Sequence, residues 1–319
     1  MTNQMSGTNA RFLQTPVVLS EIMRVMEPNL VALDMIPAVD TGGQPVVYGV
    51  KGSKSADAKK QQPRMTTPSA KFAEVQISRM TKATAITSAE GLSIRFDKSA
   101  LTLPAGKDMI ADGLATVGYW MAEYLNTAIY QALDAGSTDD GIAPTAAWSA
   151  ANATPILDLL NFKNAMIREG YPYRMTDIFV DGTNFSELEA FLIGSELPAY
   201  QNAVLNMPLT DQIVIPIEGK PVVHRMLSGV THGDMLGIDA RNKTIAALYY
   251  HNDATFGTPA TITYETVTNG SPVTKTVPNF GLNVHTYFED DTHDTVVQVW
   301  SDTTTRVKDA FGIISGDSI

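Results

Sequence analysis

Residues 107–133 read KDMIADGLATVGYWMAEYLNTAIYQAL. Ile110, Leu114, Val117, Met121, Leu125, Ala128 and Ala132 recur at steps of three and four, which places them on one face of an α-helix. Asp134-Ala135-Gly136 stops the pattern. At 1.5 Å per residue the rod is about 40 Å long, well beyond the roughly 11–12 residues of an average globular helix. Its Tyr119-Trp120-Met121 cluster reads as core or subunit interface before it reads as a cofactor pocket.

Just upstream, Lys51, Lys54, Lys59, Lys60, Arg64, Lys71, Arg79 and Lys82 face only Asp57 and Glu74. This stretch is +6 in a chain of net charge −11, so the remainder sums to −17. Until Phe72 it carries almost no large apolar side chain, so it cannot bury itself and is expected to project. Three readings are open: a loop docking on an acidic protein surface, a solvated loop, or a phosphate-binding loop. The third lacks the interleaved aromatics of single-strand platforms, because Phe72 is the sole aromatic from Gly49 to Ile94.

Around these two features the chain alternates local signals. Thr15-Pro16 opens a short helix carrying Val18, Ile22, Val25 and Met26, with Thr15 as N-cap and Pro28 as terminator. An apolar entry, Leu30 to Pro37, leads through Thr41-Gly42-Gly43 to a strand at 46–50. A returning strand is expected over 72–86 and another extended piece over 92–96. Beyond a Gly/Ala/Ser/Thr-rich linker at 136–153, a candidate hinge, Thr154-Pro155 starts a second helix ending at Gly170. A strand at 177–181 then turns into a helix over 185–193. The rest reads as β, with strands at 212–217, 222–226, 235–238, 244–250, 260–267, 273–277, 282–288 and 295–300. Asn269-Gly270 between two alternating runs signals a hairpin.

Composition bounds the chemistry. With 319 residues and 44% apolar side chains there is ample core, while 18% charged residues is low and fits a protein that covers its surface with partners. The absence of cysteine excludes disulfides, thiolate metal sites and cysteine nucleophiles. Neither a secretory signal nor an apolar run of membrane-spanning length is visible, so a soluble protein made inside a cell is expected. No phosphate-loop, dinucleotide, nucleophile-elbow or zinc-protease motif occurs; Gly219-Lys220 runs into Pro221 instead of a helix. No catalytic or cofactor-binding residue is assigned. The five histidines are dispersed, and the best metal candidate is the acidic turn holding Glu289, Asp290, Asp291 and Asp294, which lacks the alternating spacing of a calcium loop. The alternative for that turn is a solvated connection between strands.

The order of elements resembles the major capsid proteins of tailed bacteriophages. The residues that carry the resemblance are the short first helix, the entry ending Ile36-Pro37-Ala38-Val39, and the protruding segment with Pro63-Arg64. To these it adds the long helix and the strand–helix pair Ile178-Phe179-Val180-Asp181 into Asn184-Phe185-Ser186-Glu187-Leu188. The Hong Kong 97-type fold of that family is shared with encapsulin shells. The resemblance implies an α+β chain with an N-terminal arm (1–45) and an extended β-hairpin loop (46–96). It implies a peripheral domain (97–153 and 248–298, spine helix 107–133) and an axial domain (154–247 and 299–319). It also implies a virion component assembled in the host cytoplasm, with hexamers and pentamers enclosing double-stranded DNA without sequence-specific or membrane binding. A separate scaffolding protein and a portal would be partners; Met1 and the lack of a helical pre-segment favour the separate scaffold. Lys51, Lys54, Lys59, Lys60 and Arg64 become intersubunit contact candidates. Some family members join a loop lysine to an asparagine, but nothing here selects an asparagine and no such bond is expected. The rival readings are an encapsulin-like compartment and, from another class, an enzyme or ligand-binding module on the β-rich C-terminal half.

Overall fold

The structure is a computed structural model describing residues 10–50, 81–139, 144, 146–168, 173–205, 211–226, 229–268, 270–289 and 294–316. The first helix, α1 (Thr15–Met26), buries Val18, Leu19, Ile22, Met23 and Met26. Thr15 lies inside it without capping, and Gln14 precedes it with no side-chain hydrogen bond. Pro28 falls in a short 3-10 turn that follows. Next come β1 (Ala38–Asp40) and β2 (Val46–Val50), then β3 (Thr81–Ala85) and β4 (Ser88–Phe96). Asp97 caps the short α2 (Lys98–Thr102) by accepting from the Ala100 amide at 3.0 Å.

The long helix α3 runs Gly106–Ala135. Its buried stripe starts on Ile110, Leu114, Val117, Met121 and Leu125 as the spacing predicts. Toward the C-terminus it turns onto Ile129 and Leu133, one residue past the expected Ala128 and Ala132. At Gly118 α1 comes so near that an added Cβ would lie 2.8 Å from the Ile22 carbonyl oxygen.

The second half holds β5 (Thr138–Asp139), α4 (Pro155–Arg168), β6 (Asp177–Asp181) and α5 (Gly182–Gly194). Asp181 caps α5 through the Thr183 and Asn184 amides, at 2.6 and 2.8 Å. There follow α6 (Pro198–Leu205), β7 (Gln212–Val214), β8 (Val222–Met226), β9 (Met235–Ile238) and β10 (Ala246–Tyr250). The hairpin β11 (Thr261–Thr268) and β12 (Ser271–Pro278) pairs Thr268 with Ser271, as the hairpin signal between the two runs predicts; Asn269 lies outside the described residues. Last are β13 (Leu282–Glu289), β14 (Asp294–Val307) and β15 (Ile313–Gly316).

Two sheets organise these strands. The first contains β1, β10, β14, β13 and β4, with β14 at its centre. Residues 295–301 of β14 pair with both β13 and β4, and Thr303 pairs with both β10 and β4. Hence β13 and β10 follow one another along one edge of β14 while β4 occupies the other. Helices α1 and α3 lie on one face of this sheet. The second sheet has the order β5-β15-β9-β6-β8-β7, flanked by α4 and α5. Helix α3 reaches both: its Tyr130 meets Phe179 of β6 edge-on, with ring centroids 6.4 Å apart. One continuous apolar core joins the two units.

Candidate assembly surface

Strands β2 and β3 form an antiparallel ribbon, Val46 opposite Ala85 and Val50 opposite Thr81. It carries the basic segment at its far end. Lys51, Lys54, Lys59, Lys60 and Arg64 lie outside the described residues. The root of the ribbon sits in a small apolar cluster of Ala85, Ala247, Tyr249, Val46 and Tyr48, separate from the main core. The rings of Tyr48 and Tyr249 are 5.9 Å apart, and the Lys308 ammonium lies 5.5 Å from the Tyr249 ring centre. Burial pushes the Tyr249 phenol up and the Lys308 ammonium down.

Strand alternation tells which face this is. Ala246 and Leu248 enter the main core, so Ala247 and Tyr249 point to the opposite face. Tyr249 pairs with Thr304, and stepping back by twos along β14 gives Trp300, Gln298 and Asp294 on that same face. Their neighbours on β13 are Asn283, His285 and Glu289. The ribbon therefore stands on the face turned away from α1 and α3, together with a row of rings. Phe256 meets Trp300 edge-on at 5.0 Å and His285 at 5.3 Å, and His285 stacks on Tyr287 at 5.4 Å. Neither composition nor spacing signalled this row, since its members come from three separate segments.

The row ends at the acidic turn. Glu289 accepts from Arg95 of β4, whose guanidinium is 4.0 Å from Asp294. Asp290 and Asp291 lie outside the described residues. Among the described residues no group of three His, Asp or Glu side chains is placed to hold a metal ion. The histidines go to different places: His224 bonds Asp177 at 2.8 Å, His232 bonds Asp181 at 2.9 Å, and His285 joins the ring row. On α3 the aromatic cluster splits, with Met121 buried and Tyr119 and Trp120 exposed at 56% and 57%. No described helix is long and apolar enough to cross a membrane.

No protein family profile matches the sequence, and no curated protein matches it. Solved structures do. A virus-like particle from Pyrococcus furiosus superposes with a TM-score of 0.55 at 7% identity, covering 95% of this chain and 99% of that one. The capsid of a native GTA particle gives 0.53 at 11% identity, covering 91% and 90%. The capsid of cyanophage P-SCSP1u gives 0.51 at 12% identity, covering 100% and 96%. The chain has the Hong Kong 97-type capsid fold. The coverage extends over nearly the whole of each partner, so the capsid fold here includes both sheets and the long helix that joins them.

Proposed function

We propose that this chain is the structural subunit of an icosahedral shell enclosing viral double-stranded DNA, and that it works by assembly and not by turnover. The observation that carries this reading is the near end-to-end correspondence with capsid and particle subunits. In this reading the first sheet with α1 and α3 is the peripheral part. The second sheet is the axial part that meets its copies at five- and six-fold axes, and the β2–β3 ribbon with the segment it carries is the extended loop; the end of the expected 46–96 range falls to the peripheral part, because β4 (Ser88–Phe96) pairs with β14. A separate scaffolding protein and a portal complete the assembly in the host cytoplasm. A virus shell differs from an enzyme-holding compartment in its contents, so nuclease-resistant DNA as against protein cargo in purified particles distinguishes them.

Basic segments laid over acidic neighbours give many weak contacts multiplied around closed rings. Such contacts are screened as the Debye length falls from about 10 Å at 0.1 M salt to about 3 Å at 1 M. Negative-stain microscopy at low and high salt, with the scaffold gene co-expressed, is the primary test. Closed particles or rings that weaken in salt are expected, whereas a small stable oligomer under every condition contradicts a shell subunit. Replacing Lys51, Lys54, Lys59 and Lys60 together by Glu is expected to abolish particles while leaving the circular dichroism unchanged. Normal shells from that variant would dispose of the docking role.

A further inference from the structure

We infer that the chain's three crossings between its two sheets form a fixed joint, so that α3 and both sheets enter the assembly as one rigid body. The inference rests on the shell reading only for its consequence, which is that a subunit keeps one angle between its sheets before and after it joins a ring.

The crossings run from α3 to β5 (136–137), from β9 to β10 (239–245) and from β14 to β15 (308–312). The last two are bonded to each other through the main chain. The Lys308 and Asp309 amides both donate to the Ile245 carbonyl, at 2.7 and 3.0 Å, and the Asp239 amide donates to the Gly312 carbonyl at 3.1 Å. Rotation of one crossing against the other would strip these groups of their partners, and a buried backbone group left unpaired costs about as much as a lost hydrogen bond. Packing leaves no clearance either. A Cβ added at Gly312 would lie 2.2 Å from Ile245 Cδ1, and one at Gly136 would lie 2.6 Å from Val307 Cγ2. Interiors packed this closely pass a displacement on instead of absorbing it.

Side chains close the joint from the second sheet. Buried Asp309 accepts from the Tyr173 phenol, and buried Asp239 accepts from the Arg174 amide, so these two crossings are tied to the segment that enters β6. The first crossing is held at Ser137, whose hydroxyl oxygen is 2.8 Å from that of Ser315 in β15. The stretch 136–153, which composition marks as a hinge, is thus fixed at Gly136 and Ser137. It is fixed again at Trp148, which is buried and donates its indole N–H to Asp158 of α4 at 3.2 Å. The ribbon β2–β3 differs, since it meets the body through a small cluster separate from the main core.

Hydrogen exchange of the full, unassembled chain, read at residue resolution, tests the joint directly. The amides of Asp239, Ile245, Lys308 and Asp309 are expected to exchange at least about tenfold more slowly than those of the ribbon strand β3, as groups that open only with the core do. Joint amides as fast as the ribbon's would overturn the inference. The absence of native cysteine allows a second test, in which Ser137→Cys and Ser315→Cys are combined and oxidised to lock the first crossing to β15. Oxidised chains assembled with the scaffold are expected to give closed particles of the same diameter and yield as reduced chains. Shells from reduced chains beside open rings from oxidised ones would mean that the joint has to move, and the inference falls while the shell reading stands. Parent chains that form no particles under any condition remove the shell reading, and the exchange rates still decide the joint.

Discussion

The two sheets bury polar groups of different kinds. Among the described residues, the buried polar groups around the second sheet are mainly ionisable, Asp158, Lys163, Asp181, His224, Asp239 and Asp309, with Asn184 of α5 as the neutral exception. Around the first they are neutral, namely Asn279, Asn283, Thr295, Ser301, Thr303 and Thr305. Strand length accounts for the contrast. Strand β14 has 14 residues, β4 has nine and β13 has eight, so long ladders fix that sheet and asparagines need only secure its crossings. Asn283, for instance, accepts from the Asp253 amide at 2.8 Å and donates to the Gly281 carbonyl at 3.0 Å. No strand of the second sheet exceeds five residues. Carboxylates pin its connections: Asp158 takes the Trp148 indole at 3.2 Å, and Asp309 takes the Tyr173 phenol and the Phe311 amide. One unit is held by ladders and an apolar helix layer, the other by charged pins.

If that division is right, the first unit is most vulnerable at its helix layer. Gly118→Val would push a side chain into the Ile22 carbonyl oxygen, 2.8 Å from the new Cβ, and into Val25 at 3.0 Å. Backbone cannot yield as a flexible side chain does, so a loss of about 3 kcal/mol is expected from overpacking. Urea unfolding measures it. An unchanged midpoint would show that the α1–α3 contact is not what holds this unit.

The matching probe of the second unit is Asp239→Ala. Asp239 receives Arg241 through two nitrogens at 2.9 Å each and the Arg174 amide at 2.9 Å. The Arg241 side chain is 58% exposed and stays hydrated when its partner goes, so the cost falls well below that of breaking a fully buried pair. A loss of about 2 kcal/mol is expected, chiefly from the orphaned amide and the empty site. Buried Trp148 in this unit reports it by fluorescence. Asp239→Asn, which keeps an acceptor, should recover part of the loss; if it is no better than alanine, the pin is not a hydrogen-bonding one.

What could be read from the chain follows the same physical division. The long helix, β6, β8 and β9 carry their own periodicity, and the Asn-Gly turn carries its own backbone preference. By contrast β1 is three residues made into a strand by parallel pairing with β10, some two hundred positions away. The polar run Ser301–Val307 continues β14 only because β10 pairs with it over Thr303–Val307. The expected strand over 212–217 stops at Val214, since Gly219 at φ +85° and Lys220 at φ +44° turn the chain. Helix α6 and strand β15 had no distinct local signal. The basic segment was legible because charge needs no partner to be seen. The ring row was not, because period-two spacing at His285–Tyr287 and at Gln298–Trp300 becomes a surface only once β13 and β14 are in register.

The smallest expected effect concerns protons. Tyr124, Tyr249, Tyr250 and Tyr264 of the first unit and its β11–β12 hairpin are held above the ordinary phenol range. Tyr124 of α3 is pushed up to about 12, first by burial and then by the Glu90 carboxylate of β4. A phenol held above its unfolded value near 10 favours the folded state fully below about pH 10. That contribution is lost as pH rises through about 12. Glu90→Gln removes the like charge and leaves the larger cause in place, so ultraviolet titration should show Tyr124 moving only part of the way back toward 10. A full return would mean that burial contributes nothing. Alkaline loosening should likewise begin in the ladder-built unit. A chain keeping only Trp148, with Trp120 and Trp300 changed to Phe, should therefore hold its native fluorescence after the far-ultraviolet signal has started to fall. Loss of the Trp148 signal first would place the base-sensitive contacts among the charged pins instead.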